Sequence, residues 1–401
     1  MNSNWLTLEE ARQRIAAQIK PTEIVTLPLL EALGHHGARS LQASIPSPPF
    51  TNSMMDGYAL RAIDSRQSTP LRLVGRQPAG PDHGLTCEPG EAIRIFTGAP
   101  IPKGADCVIM QEDCRLDGQE LHCLEAVEVG VNLRPQGADL CVGQRLCQRG
   151  ERMHPALLAL IASQGMSHVE VHRRPQIMVI STGDELRAPG HGPLRPGEIY
   201  ESVSTLLCSS LMQWGQACPT QAHCDDQPTS LRELLETASA VHDVVVISGG
   251  VSVGEHDPVK PALAAMGIEP LFWKIRIKPG KPFLFALLPR PQGGHSLLFG
   301  LPGNPVSAFV TAALLLRPAL LQLMGAGNQE LPKVAALLAQ AVFNDGDRPH
   351  YVRGRLDGGL FTPVGLQQSH ALYGLSLSQA LLRVEPGQSL AEGHPIEVLP
   401  C

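Results

Sequence analysis

The sequence predicts a multidomain protein of α/β and β class, built around a central parallel α/β domain. Its 401 residues are more than one compact core usually supports. Three continuous apolar runs, at 177–182, 244–248 and 297–301, alternate with segments of helical spacing. Apolar strands that alternate with helices are typical of a parallel sheet covered on both faces.

Composition divides the chain into four predicted domains. An elongated helical and linker domain comprises residues 1–45 and 140–175. A small β-rich domain, rich in Gly and Pro, is inserted between these two parts at residues 46–139. The α/β domain spans residues 176–326, and short β-type runs after it predict a C-terminal β domain at residues 327–401.

Bulk composition argues against several classes of protein. A formal net charge of −6 gives no support for nucleic-acid binding. The 10 cysteines include no C-x-x-C pair, which favours reduced thiols in the cytoplasm over a disulfide framework or a zinc site. No run approaches the roughly 18 apolar residues of a membrane span. Thr7 and Glu10 have the spacing of a capping box and predict an N-terminal helix.

A cluster of cations lies between Lys274 and Lys281 of this acidic chain. Lys274, Arg276 and Lys278 alternate with isoleucines, so in a strand three positive charges would share one face. A Pro-Gly turn then leads to Lys281. A solvated edge strand is one explanation, but the apolar residues on both sides of the run favour an anion site.

Polar loops with glycine follow each predicted strand of the α/β domain, and ligands of such sheets bind where strands end. The 181–185 loop carries carboxylates, the 248–254 loop offers free backbone N–H groups to an oxyanion, and 301–307 is a tight turn before a helix. Asp225 and Asp226 form an acidic pair suited to anchoring Mg²⁺. Weighed singly, the 181–185 loop and the acidic pair are explained equally well by a helix cap or a solvated loop. The 248–254 loop alone is weak evidence for a site, and the turn at 301–307 alone favours a structural role.

Taken together and in order, these motifs resemble those of one family, molybdopterin molybdenumtransferase, which comprises bacterial MoeA proteins and the E domain of gephyrin. The resembling segments in the N-terminal part are 48–59, 97–102 and 134–139. Those in the C-terminal part are 181–186, 248–252, 274–282 and 301–307. The resemblance covers nearly the whole chain.

The resemblance implies a molybdopterin-binding-like α/β domain and an elongated homodimer in the cytoplasm. It implies a reaction in which adenylylated molybdopterin and molybdate give molybdenum cofactor and AMP, with Mg²⁺ as cofactor. The active cleft would lie between the α/β domain of one subunit and the inserted β domain of the other. The implied protein partners are the adenylyltransferase and other cofactor-biosynthesis proteins, with no nucleic acid and no membrane.

The resemblance also implies residue roles. The implied catalytic residues are Asp56, Thr97, Glu185, Lys274 and Lys278. The implied substrate-binding residues are Arg134, Asp139, Ser248, Gly249, Gly250, Ser252, Lys281, Pro302 and Pro305. The expected magnesium ligands are Asp226, with Asp225 as its alternative, Asp257 and Glu185.

One segment departs from the family pattern. Glu201, Ser202 and Val203 stand where the family usually has Asp-Ser-Asn, which removes an amide from a loop expected to face the substrate. Two alternative functions stay open, and this departure bears on the second. One is adenylylation of molybdopterin, whose enzymes share the α/β fold, and the other is a non-catalytic scaffold of the gephyrin E-domain type.

Overall fold

The computed structural model describes residues 5–251 and 257–401, so Ser252 lies outside the described residues. Two compact units make up the chain. One, called here the α/β unit, comprises Met1–Arg39, Arg149–His154 and His168–Cys401; the other, the inserted unit, comprises Ser40–Gln148 and Pro155–Ser167. The finer division into four domains stays a prediction.

The first helix of the α/β unit confirms the predicted capping box. Helix α1 (Leu8–Ala16) is followed by strand β1 (Ile24–Pro28). The Thr7 hydroxyl accepts a hydrogen bond from the Glu10 amide at 3.1 Å, and the Glu10 carboxylate accepts one from the Thr7 amide at 2.8 Å. These two contacts satisfy backbone donors that the first helical turn leaves without partners.

The inserted unit is β-rich, as its composition predicts. Its elements are β2 (Leu41–Gln42), β3 (Asn52–Ser53), β4 (Gly57–Leu60), β5 (Leu71–Gln77), β6 (Glu91–Ile95), β7 (Cys107–Met110), β8 (Cys114–Asp117), β9 (Glu120–Cys123), β10 (Leu133–Arg134), β11 (Arg145–Cys147) and helix α2 (Pro155–Ser163). Six strands form a sheet in the order β7-β4-β6-β5-β9-β8. Two short pairs, β10 with β3 and β11 with β2, lie outside it.

A six-stranded sheet forms the centre of the α/β unit. The elements after α2 are β12 (His168–His172), β13 (Ile177–Thr182), β14 (Leu186–Arg187), β15 (Ile199–Tyr200), α3 (Val203–Gln213), β16 (Thr220–Cys224), α4 (Pro228–Val241), β17 (Val244–Ser248), α5 (Val259–Ala265), β18 (Phe272–Trp273), β19 (Leu284–Pro289) and β20 (His295–Leu301). The sheet order is β16-β13-β17-β20-β19-β18. The first four strands are parallel, as predicted, whereas β19 and β18 add an antiparallel edge that the sequence pattern does not reveal.

The predicted strand across the cation cluster is wrong. Strand β18 ends at Trp273, because Lys274 has a φ of +81°, outside the extended region. Beyond it, Ile275 and Lys278 make only isolated bridges, to Leu6 and His350. Ile275 and Ile277 are nevertheless fully buried. The alternation of buried and outward residues is therefore present without a continuous strand.

A helical run continues from β20. It consists of α6 (Pro305–Thr311), a π-helical turn (Ala312–Leu316) and α7 (Arg317–Leu323). By length and composition this run is apolar enough to cross a membrane, which the sequence prediction did not anticipate. Within the fold 78% of it is buried, as expected for a core helix.

The C-terminal region is a closed barrel, which confirms the predicted β character. Its elements are β21 (Val334–Leu338), β22 (Val342–Phe343), β23 (His350–Asp357), β24 (Leu360–Pro363), α8 (Leu372–Ser376), β25 (Ala380–Val384), β26 (Ser389–Leu390) and β27 (Pro395–Pro400). The barrel order is β21-β24-β23-β25-β27. Tyr351 and Leu381 of the barrel belong to the same buried cluster as the α/β sheet. The barrel and the sheet therefore share a core.

We expect Thr7→Ala to lower the free energy of unfolding by about 1 kcal/mol, because the Glu10 amide loses its acceptor. Thr7→Ser keeps the hydroxyl and should change stability little. Urea unfolding followed by circular dichroism at equal protein concentration measures both variants. An Ala variant as stable as the Ser variant would show that the cap contributes nothing measurable.

Candidate active site

A cleft of about 690 Å³ opens at the carboxyl ends of the four parallel strands. The loops after β13, β16, β17 and β20 reach it, since parallel strands end at the same edge of their sheet. Of the residues predicted to act from this unit, the following line the cleft: Glu185, Asp226, Ser248, Gly249, Gly250, Asp257, Pro302 and Pro305. The structure therefore brings together residues that lie more than a hundred positions apart in sequence.

Two positions of the loop after β17, Gly249 and Gly250, have no room for a side chain. Gly249 has a φ of +94°, and a Cβ on it would lie 2.6 Å from the carbonyl oxygen of Thr182. Gly250 has a φ of +59°, and its Cβ would lie 3.0 Å from the Thr182 hydroxyl. Both positions need glycine for backbone conformation as well as for space. The backbone is left open to close approach by a ligand.

Acidic side chains crowd the loops after β13 and β16. The Asp226 amide donates to Asp184 Oδ1 at 3.2 Å, and the Asp184 amide donates to Asp226 Oδ2 at 3.4 Å. The Glu185 carboxylate folds back over Gly183, where a Cβ would lie 2.6 Å from Glu185 Oε2. Burial raises the pKa of Asp226, and the neighbouring Asp184 and Glu185 charges add to the rise.

Asp257 faces the same cleft with one oxygen unpaired. Its Oδ1 accepts from the Val259 amide at 3.0 Å, whereas Oδ2 is buried and has no hydrogen-bond partner. Burial raises the pKa of Asp257 to about 6, and the charge of Asp226 contributes. A buried polar atom without a partner usually marks a site for a proton, an ion or a ligand.

The carboxylates do not form a complete metal cage. Within residues 5–251 and 257–401, no group of three or more His, Cys, Asp or Glu side chains is close enough to hold a metal ion. Mg²⁺ commonly binds through one or two carboxylates and completes its shell with water and substrate phosphates. Two features fit such a partial site. Among the described residues, Asp257 Oδ2 has no hydrogen-bond partner, and the Asp226 and Asp257 carboxylates repel each other unless a cation lies near them. Asp226 and Asp257 can therefore supply protein ligands, with Glu185 nearby.

The predicted cations do not form part of the cleft wall. Lys274, Lys278 and Lys281 are absent from the lining residues, although Pro282, which follows Lys281, is among them. In the described part of the chain none of the three forms an ion pair with a carboxylate. The Lys281 ammonium group stacks over the Trp5 ring, 4.3 Å from its centroid. These charges are left available for an anion.

The backbone of the cation cluster is firmly held. The Lys278 amide donates to the Pro349 carbonyl at 2.9 Å, and the Tyr351 amide donates to the Lys278 carbonyl at 2.8 Å. The Lys274 amide donates to the Phe283 carbonyl at 2.8 Å. The positive φ of Lys274 costs free energy for any residue with a Cβ, and such strain is often found at functional sites.

The sequence did not predict the barrel's contribution to the cleft. His370 and Leu372 line it, and the Ser369 hydroxyl accepts from Asn304 Nδ2 at 3.2 Å. No motif spacing signals this contact, because the loop that carries His370 comes about sixty residues after the turn at 302–305. His370 is an exposed side chain of the cleft lining.

A buried arginine holds this barrel loop in place. Arg353 is 1% exposed, and its guanidinium donates to the carbonyl oxygens of Leu366, Gln368 and Ala371. The Gln367 amide side chain bonds the Arg353 backbone twice, at 2.9 and 3.0 Å. Arg353 thus acts as a positioning residue for the loop of His370.

In the inserted unit, the structure brings Asp56 and Thr97 together. Asp56 Oδ1 accepts hydrogen bonds from the Thr97 amide and the Thr97 hydroxyl, both at 2.8 Å. These bonds lower the pKa of Asp56. Arg134 lies on β10 opposite Asn52, two residues before the loop that carries Met54, Met55 and Asp56. Among the described residues no ion pair joins Arg134 to Asp139.

The departure at 201–203 has a structural explanation. Glu201 Oε1 accepts from the Ser204 amide at 2.7 Å, at the start of α3. Val203 is 8% exposed and belongs to the core of the sheet. Glu201 lines the cleft, but one of its oxygens already serves the helix. In this chain the two departing residues therefore serve the start of α3 and the core of the sheet.

Three family models match the chain in order. They are the MoeA N-terminal region (domain I and II) at residues 6–165, the probable molybdopterin binding domain at residues 178–322, and the MoeA C-terminal region (domain IV) at residues 335–401. Together they span most of the sequence, and the central model covers the cleft described above.

Individual relatives agree with these matches. A molybdopterin molybdenumtransferase of Nostoc sp. is 33% identical over 94% of this chain and 85% of its own length. Molybdopterin molybdenumtransferase 2 of Mycobacterium tuberculosis is 32% identical over 98% of both chains. The crystal structure of the molybdopterin biosynthesis moeA protein from Pyrococcus horikoshii superposes with a TM-score of 0.84 at 27% identity, covering 99% of this chain and 100% of the other.

The positive φ of Lys274 predicts that glycine is more stabilising than alanine at this position. We expect Lys274→Gly to be about 1 kcal/mol more stable than Lys274→Ala, because only glycine adopts the positive φ without a Cβ clash. At Arg276, where φ is not positive, the order should reverse, so the matching Gly and Ala variants are the control. Urea unfolding measures all four. A less stable Gly variant at 274 would contradict the strain.

The raised pKa of Asp257 predicts a dependence of stability on pH. The folded chain holds this proton more tightly than the unfolded chain, so the stabilisation is present below the ordinary aspartate pKa of about 4 and is lost as pH rises through about 6. In Asp257→Asn the unfolding free energy should therefore fall less between about pH 4.5 and about pH 7.5 than in the wild type.

The exposed Asp117→Asn variant is the control, and urea titrations at the two pH values measure the difference. An Asp257→Asn variant with the full wild-type pH dependence would show that the Asp257 carboxylate is not protonated more readily in the folded state.

Proposed function

Because the chain belongs to the MoeA family, we propose that it is a molybdopterin molybdenumtransferase, the activity by which its curated relatives are named. In the proposed reaction, adenylylated molybdopterin and molybdate give molybdenum cofactor and AMP. The observation that carries this proposal is the cleft at the carboxyl ends of β13, β16, β17 and β20, which combines open glycine backbone with underpaired carboxylates. Such a combination suits a phosphate-bearing substrate and a divalent ion.

The glycine loop is proposed to bind the substrate phosphates. Gly249 and Gly250 leave room for close approach, and Ser248 lies at the end of the strand that presents them. Ser252, which lies outside the described residues, is also proposed to bind substrate. Pro302 and Pro305 lie in the cleft lining, on either side of Gly303 and Asn304.

The cation cluster is proposed to bind oxyanions. Lys274, Lys278 and Lys281 have no carboxylate partner in the described chain, so their charge is available for molybdate or for the phosphate of the leaving AMP. The fixed backbone of Lys278 limits the reorganisation needed on binding. Preorganised positive charge is most effective where negative charge develops during the reaction.

Mg²⁺ is proposed to bind between the carboxylates and the substrate diphosphate. Asp226 and Asp257 are the proposed ligands, with Glu185 as a third acidic group. When bound, the ion would neutralise charge on the diphosphate oxygens. The carboxylates must be ionised to bind it, and the raised pKa values of Asp226 and Asp257 predict weaker binding as pH falls.

Residues of the inserted unit are proposed to act in a homodimer, on the cleft of the partner subunit. Asp56 is held by two hydrogen bonds from Thr97 and stays ionised because its pKa is lowered. Met54 and Met55 beside it are 43% and 41% exposed, which supports a surface that another molecule covers. Arg134 and Asp139 are exposed residues of this unit, and we propose that both bind substrate.

Two other functions are less well supported. The family models at 6–165 and 335–401 match regions outside the α/β domain. An adenylylating enzyme that consists of the α/β domain alone lacks these regions, so their presence disfavours adenylylation. The departure at 201–203 is accommodated by capping and burial, and so does not by itself favour a scaffold. We propose cytoplasmic action, with the adenylyltransferase that makes the substrate as a protein partner.

The purified protein, incubated with adenylylated molybdopterin, Mg²⁺ and molybdate, should release AMP. We expect Lys278→Ala to lower the rate by about 100-fold, since preorganised charge at a developing oxyanion has effects of that order. Lys333→Ala, which removes an exposed lysine paired with Glu397, is the matched control and should leave the rate unchanged. Chromatographic measurement of AMP provides the rate.

The outcomes separate function from structure. Absence of AMP release by folded wild-type protein would overturn the proposed activity. Release by Lys278→Ala at the wild-type rate would remove the lysine from the site but leave the activity. A change in the size of the Lys278→Ala protein in solution would assign the residue a structural role.

A further inference from the structure

Two cysteines lie directly opposite each other in the β8–β9 hairpin of the inserted unit. Strand pairing places Cys114 across from Cys123, and a two-residue turn, Gly118 and Gln119, joins the strands. Both thiols are free and half-buried. No metal explains the pair, because the described chain contains no group of metal-ligating side chains large enough to hold one.

The hairpin register brings these two residues unusually close. In antiparallel pairing, hydrogen-bonded and non-hydrogen-bonded residue pairs alternate along the strands. The Leu124 amide donates to the Asp113 carbonyl at 2.9 Å, so the neighbouring pair of Cys114 and Cys123 is non-hydrogen-bonded. Residues in such a pair have Cα atoms about 4.5 Å apart and the closer side chains. That separation falls within the range that a disulfide spans, about 4.4–6.8 Å.

The hydrogen bond between the two thiols shifts their pKa values in opposite directions. A hydrogen bond from the Cys114 thiol lowers the pKa of Cys123, and the same interaction raises the pKa of Cys114. The thiolate is the attacking form in exchange reactions, so Cys123 is the nucleophile and Cys114 the second, resolving thiol. By contrast, burial raises the pKa of Cys87 and Cys107 in the same unit.

We propose that Cys114 and Cys123 form a reversible disulfide by exchange with a low-molecular-weight disulfide of the glutathione type. The Cys123 thiolate attacks one sulfur of the reagent, which breaks its S–S bond and releases one thiolate. Cys114 then loses its proton and attacks Cys123 Sγ of the mixed disulfide, which expels the second thiolate. The protein gives up two electrons and two protons, and the reagent becomes two thiols.

The crosslink would act on a segment that contacts Asp56. Cys114 directly follows the turn at Gln111–Asp113, and the Gln111 amide donates to the Asp56 carbonyl at 3.3 Å. A covalent link to β9 limits the opening of the hairpin next to this turn. The disulfide therefore makes the backbone around Asp56 harder to displace. This inference does not rest on the proposed function.

Exchange of the full-length protein with oxidised glutathione tests the proposal. We expect Cys114 and Cys123, two of the 10 thiols of the wild type, to be oxidised without gaining glutathione, and peptide mapping to join Cys114 to Cys123. Dithiothreitol should restore both thiols. Amide exchange at Leu124 should slow by about tenfold or more in the crosslinked form. Cys141→Ser, which removes an exposed thiol, is the matched control and should behave as the wild type.

The single-cysteine variants identify the nucleophile. Cys114→Ser should hold one glutathione at Cys123, whereas Cys123→Ser should react more slowly at Cys114. The proposal is overturned if both thiols stay reduced under conditions that modify the exposed Cys141 and Cys218, or if Cys123 pairs with a different cysteine. An unchanged exchange rate at Leu124 in the crosslinked wild type would contradict the effect on the hairpin. These wild-type measurements decide the matter even where a variant fails to fold.

Discussion

Parallel pairing of four strands is the constraint on which the candidate site depends. In β16, β13, β17 and β20, every carboxyl end lies at one edge of the sheet, and the loop after each strand reaches the same cleft. The inner strands β13 and β17 are buried along their whole length and are accordingly apolar runs, whereas the edge strand β16 is largely polar and exposed. Core formation and site formation are thus consequences of the same residues.

The cleft holds acidic side chains at positions where burial disfavours their ionised form. Asp226 and Asp257 are both raised in pKa, and one oxygen of Asp257 has no partner. Burying these carboxylates without full pairing costs free energy, which the packing of the surrounding sheet has to offset. The cations at 274–281 lie apart from them, and neither set neutralises the other within the described residues. Because the two sets do not pair with each other in that part of the chain, the carboxylates stay available for a metal ion and the cations for an oxyanion of the same ligand.

The sequence predicts those parts of the fold that depend on local pattern. Strands β13 and β17, the Thr7 cap and the loops at the strand ends follow from apolar runs, spacing and glycine, all of which are local. The end of β18 could not be predicted, because the φ of Lys274 goes with a contact between its amide and Phe283. The pairing of Asp184 with Asp226 and the placement of His370 depend on chain segments that are distant in sequence. Periodicity carries no information about such contacts.

The burial of Arg353 has an electrostatic consequence. Its guanidinium is bonded to backbone carbonyls, and in the described chain no carboxylate forms an ion pair with it. An arginine does not lose its proton in the accessible pH range, so this positive charge is permanent and is shielded from salt by its burial. A fixed positive charge thus lies beneath the barrel loop whose His370 lines the cleft, while Asp226 and Asp257 bring acidic groups to the same cleft, and the combined field would help to orient a dipolar ligand before it makes any specific contact.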